Sequence, residues 1–164
     1  MKSIFIKTLL VINLFCMYNC KAQTTTDYIN FYNDVVPKLN LLVPNKTQYY
    51  GQNFSNFYNE LQNKNINVVM LNYDSKTDTS EKYYTLRLFF SDINMWDVAS
   101  DNLYRFPILD ITFENQIPSQ IMNMVKQADS KWNANFVQFF SNMKIEKIEF
   151  IGMHGYNSQD RSLK

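Results

Sequence analysis

His154, in Gly152-Met153-His154-Gly155, is the one histidine of the chain and so the one side chain that ordinarily titrates near neutrality. At a strand end between glycines it is placed to act as a general base, provided a carboxylate orients it and a hydroxyl or bound water lies within hydrogen-bond reach. Asp110 and Glu114 are the acids offered by a neighbouring strand, and His154 with Asp110 is the pair a small hydrolase would use. As a glycosidase pair, Asp110 and Glu114 are badly spaced. Four residues along a strand put their Cα atoms about 13 Å apart, against roughly 5 to 9 Å between carboxyls across a cleft. No Gly-x-Ser-x-Gly occurs, and a lone histidine in a turn meets no spacing rule of a catalytic motif. The expectation is therefore a protein with no catalytic residue, with His154 and Asp110 as the alternative.

Metal and cofactor chemistry find less support. Zinc sites draw several ligands from Cys and His, and besides His154 the chain has only Cys16 and Cys20. Asp74 with Asp78, and Asp92 with Asp97 and Asp101, lie in loop-like stretches but lack the alternating spacing and glycine turn of a calcium loop, so they read as solvated surface. Only Gly51, Gly152 and Gly155 are available, and neither a phosphate-cradling loop nor a dinucleotide fingerprint can be written with them. No metal and no cofactor are expected.

Aromatic side chains are the better material. Tyr49, Tyr50, Tyr83, Phe89 and Trp96 are the candidates for a binding face, since exposed aromatics give large contact area at small entropic cost. The competing reading makes them core beneath packed helices. The 13 Phe and 11 Tyr owe much to A/T-rich codons, as does the Asn excess, so abundance alone argues nothing. Asn45-Lys46-Thr47 and Asn53-Phe54-Ser55 match the glycosylation pattern, which so many asparagines produce by chance.

The elements that must position these residues follow from periodicity. Tyr28, Ile29, Phe31, Tyr32, Val35 and Val36 predict a helix from about Asp27, capped by Thr25 or Thr26 and ended or kinked at Pro37. Asn40 to Tyr50, with Pro44, reads as a loop, and Phe54 to Asn63 as a second helix. Ile66 to Tyr73 and Lys82 to Phe90 read as strands joined by a long hairpin loop, and Pro107 to Glu114 as a third, with Leu109, Ile111 and Phe113 inward and Asp110 outward. In residues 92–105, Trp96 and Ala99 fit a short helix, but no period of either kind is sustained and the stretch reads as irregular. A helical run begins near Pro118 and continues through Phe140, with a break near Asp129. Ile145 to Met153 closes as a strand, and Asn157 to Lys164 is a polar tail expected to fray. This order predicts a single α+β domain: a mainly antiparallel sheet of about four strands with helices on one face.

The chain has 164 residues, 19% of them charged, with a net charge of +1. That is one domain's material, without the basic face of a nucleic-acid binder. Lys2 and Lys7 precede Thr8 to Phe15 (TLLVINLF), an apolar run too short to span a bilayer, which takes roughly 20 residues. Residues 1–22 therefore read as an export signal. Its end fits either a Cys20-Lys21-Ala22 cleavage site, releasing a chain from Gln23, or a lipid-modified Cys20. The first option leaves no cysteine in the mature chain and turns the net charge to −2. The expected protein is an exported envelope or secreted binding module, periplasmic, outer-membrane-tethered or free. Its partner is a protein, envelope component or small ligand, and it touches membrane only through a lipid at Cys20.

Overall fold

A computed structural model describes residues 23–77 and 82–164; the expected signal, with Cys16 and Cys20, and Asp78 lie outside them. Thr24 opens the first helix, α1 (Thr25–Asn40), with a reciprocal capping box: its hydroxyl accepts the Asp27 N–H while the Asp27 carboxylate accepts the Thr24 N–H. The helix thus starts slightly before the expected Asp27. It also runs through Pro37 instead of ending there. Pro37 and Asn33, whose carbonyl loses its partner, are both exposed, which leaves that carbonyl on the solvent side while buried Leu39 holds the last turn in the core. The expected loop after α1 contains a 3-10 helix, Val43–Tyr49, with Pro44 in its first turn. Helix α2 (Phe54–Asn63) buries Phe54, Phe57 and Leu61, as their spacing requires.

Strands β1 (Met70–Ser75), β2 (Tyr83–Phe89), β3 (Ile108–Phe113) and β4 (Ile145–Ile151) form one antiparallel sheet in sequence order. The α+β class read from the sequence is the class of the fold. Register aligns Leu71, Leu88, Leu109 and Phe150 across one face, followed by Tyr73, Leu86, Ile111 and Ile148, and all of these except half-buried Tyr73 are sealed from solvent. On that face Phe113 contacts Phe54 of α2 at 6.0 Å and Phe140 at 5.5 Å between ring centroids. Phe140 belongs to α5 (Ala134–Phe140), separated from α4 (Ile121–Ala128) by the expected break. Asp129 and Ser130 both take left-handed backbone there, and the next residues pair with β1, Lys131 opposite Met70 and Trp132 N–H on Val69 O.

The stretch read as irregular is a helix, α3 (Ile93–Asp101), with the Asp92 carboxylate capping the Met95 N–H at 3.1 Å. It is short and buries only Met95 and Ala99, which leaves almost no periodic signal. It lies against one end of the other sheet face, where Trp96 meets Phe89. The polar tail is also not frayed: Lys164 and Phe150 exchange both main-chain hydrogen bonds at 3.0 Å, and Lys164 Nζ reaches Asn40 Oδ1 at 3.1 Å.

Both sheet edges are occupied. In β1 the Leu71 N–H donates to Ser130 O, and the N–H groups of Tyr73 and Ser75 are closed by the side-chain oxygens of Asn72 and Asp74, each at 2.8 Å. Along β4, Ile145 pairs with Gly51 and Gln52, Ile148 N–H reaches the Tyr50 hydroxyl, and Lys164 takes Phe150.

Candidate functional site

The outer sheet face carries Met70, Phe89, Ile108 and Ile151 in one register row and Asn72, Arg87, Asp110 and Glu149 in the next. Arg87 holds Asp110 with two parallel bonds, Nε to Oδ1 at 2.8 Å and Nη2 to Oδ2 at 2.7 Å. The pairing raises the Arg87 pKa above its ordinary value, first through the Asp110 hydrogen bond and against the opposing effect of burial. Asp110 is only 8% exposed, so a guanidinium that covers it is a structural necessity. Asp110 points outward, as read from the sequence; its partner in the structure is Arg87, while the carboxylate beside His154 is that of Asp160.

His154 has other company. Its Nδ1 lies 3.4 Å from Asp160 Oδ2, and its Nε2 lies 3.0 Å from Ser162 Oγ. The residue order matches an acid–histidine–serine relay, yet Asp160 is 51% exposed and itself takes the Ser162 N–H at 2.8 Å. These contacts, with His154 and Lys164 adding attraction, hold the Asp160 carboxyl below its ordinary pKa. The cluster is a local clip that shapes the C-terminal segment. Sequence reading missed Asp160 and Ser162, whose only trace is their closeness to His154 along the chain.

Two tyrosines of α1 fix the surroundings. Tyr28 donates its hydroxyl to Arg105 O, and Tyr32 donates to Gly152 O at 2.6 Å while accepting the Gly155 N–H at 2.9 Å. Burial is the main cause that pushes both phenols up in pKa, so both remain neutral donors. Gly152 is indispensable, with φ +71 and the Phe106 carbonyl oxygen 2.2 Å from where a Cβ would stand.

These supports frame two clefts on either side of Trp96. Trp96, Phe89 and Phe106 form an aromatic triangle with centroid distances of 5.0 to 6.4 Å, and Trp96 stays 38% exposed. A cleft of 350 Å³ opens over the sheet face beside Phe89, Arg87, Asn72 and Ser91. A larger one of 510 Å³ lies between the C-terminal half of α3 and the tail, lined by Trp96, Tyr104, Arg105, Phe106, Asp160 and Arg161 among others.

The five aromatic candidates therefore divide. Phe89 and Trp96 come together at these clefts. Tyr49 is core, 9% exposed and edge-on to Phe57; Tyr50 guards β4. Tyr83 meets Tyr73 at 4.5 Å, near an irregularity in the β1–β2 register. Asp97 and Asp101 are exposed on α3, and among the described residues no three His, Cys, Asp or Glu side chains converge to hold a metal.

No protein-family profile matches the chain, and no solved structure does. Over 60 residues it is 35% identical to "Retrograde protein of 51 kDa" of Lymnaea stagnalis, a stretch covering 37% of this chain and 13% of the other. So small a share assigns no family. Among the described residues no helix is long and apolar enough to cross a membrane.

Proposed function

We propose that this protein is an exported, non-catalytic binding module that takes up a small ligand, or a side chain of another envelope component, at the clefts beside Trp96. The carrying observation is the aromatic triangle of Trp96, Phe89 and Phe106, which leaves a large ring exposed between two concave surfaces on a rigid sheet. Binding sites are concave and mostly apolar, with a few placed polar groups. Export is supported by Lys2, Lys7 and the short apolar run from Thr8 to Phe15. Amide NMR with phenol and isopropanol as probes tests the binding reading: perturbations should cluster at Trp96, Phe106 and Phe89, and shifts scattered over the surface count against it.

The second reading is a small envelope hydrolase working through His154. What favours it is the order Asp160, His154, Ser162, with Asp160 in the place first given to Asp110. A fluorophosphonate probe decides: covalent labelling that Ser162→Ala abolishes would replace the binding reading.

A further inference from the structure

The larger cleft carries its own chemical signature. Its lining combines apolar Trp96, Ala99, Leu103 and Phe106 with two cationic residues, Arg105 and Arg161. Arg105 is planted from three directions: its N–H donates to Tyr156 O, its carbonyl accepts from Tyr28, and its Nε donates to Ser158 O at 2.7 Å. Its two Nη groups have no protein partner among the described residues. Arg161 has no hydrogen bond or ion pair to protein there at all, and it stands in sequence between Asp160 and Ser162, the two residues gripped by His154.

The one acid lining the cleft, Asp160, is engaged by Ser162 and His154. Near the end of α3 the carbonyls of Val98, Ser100 and Ala99 accept the N–H groups of Asn102, Leu103 and Tyr104. Two guanidiniums with open donors beside an aromatic wall match one kind of ligand.

We propose that this cleft binds a small amphipathic anion, its apolar body against Trp96 and Phe106 and its carboxylate or phosphate on Arg105 and Arg161. This deepens the binding-module reading and rests on it. His154 is a positioning residue here: by holding Asp160 and Ser162 it sets where Arg161 stands. The site fits a single chain or ring with one charged head, since 510 Å³ is in the ordinary range for small-molecule pockets.

Calorimetric titration of the protein, purified from cells expressing the full chain, with decanoate, decyl phosphate and decanol tests it. Either or both anions should bind at least about tenfold tighter than decanol, a preference that weakens with salt; which anion wins identifies the head group. Arg161→Gln should reduce the anion-to-decanol ratio several-fold, with Arg105 supplying what preference remains, and His154→Ala should lower the same ratio, a readout that a uniform loss of binding would not move. Equal binding of decanol and the anions overturns the ligand class and leaves the binding module standing. An anion preference untouched by Arg161→Gln overturns the assigned contact. Binding of none of the three overturns the proposal, while the phenol and isopropanol map judges the module independently.

Discussion

Arg87 and Asp110 show how a single pair decides what a face of the sheet can do. Neither residue is informative alone; only the register that sets Arg87 opposite Asp110 turns a candidate catalytic acid into half of a fork. Removing the guanidinium strands a nearly buried carboxylate, so Arg87→Ala should destabilise the fold by about 1–3 kcal/mol, the lower part of the range for broken buried pairs because Arg87 is half-exposed. Urea unfolding measures it, and a change below about 0.5 kcal/mol would show the pair to be ornamental. Gly152→Ala faces a harder obstacle, a left-handed backbone and a carbonyl in the way, and should cost about 2–4 kcal/mol in a thermal melt. Asp160 sets an acid limit on the clip. Its pKa is lowered on folding, so its contribution is present above 3.8 and disappears as pH falls through the lower folded value. The Ser162 amide resonance should titrate with a midpoint under 3.8; a midpoint at or above it means the clip is not formed.

At the scale of elements, the chain announces itself unevenly. Lys82 to Phe90 and Pro107 to Glu114 are readable because one sheet face is sealed and the alternation must be kept. The break at Asp129 is readable because α4 and α5 are separate amphipathic pieces. Helix α3 is not, since a nine-residue helix that buries two side chains leaves too few apolar positions for a period to emerge. The clip of His154, Asp160 and Ser162 and the return of Lys164 to Phe150 are likewise invisible, because turn geometry and not periodicity brings them together. Edge protection belongs here too. Asn72→Val with Asp74→Val should expose the Tyr73 and Ser75 amides of β1 and promote self-association, seen by light scattering as growth in mass with concentration; an unchanged monomer signal would mean that other features guard the edge.

For the whole molecule, composition was legible as a class and silent on purpose. A near-neutral body with one histidine and three glycines narrows the chemistry, while Trp96 acquires meaning only when Phe89 and Phe106, distant from each other along the chain, meet around it. Where the protein resides is a question for mass spectrometry of membrane and soluble fractions. The export reading expects either a diacylglyceryl adduct on Cys20 or a chain beginning at Gln23, and an intact polypeptide recovered from the cytosol would refute it.

The occupied margins of the sheet also constrain what kind of acquaintance this protein can make. Where β1 and β4 have their main-chain donors already spoken for by Asn72, Asp74, Tyr50 and Lys164, a visitor finds few open N–H groups on which to zip itself on as a fifth strand, a mode that accepts almost any extended peptide. Recognition is left to side chains and hollows, which discriminate by shape and charge; the architecture favours a selective host over an indiscriminate one.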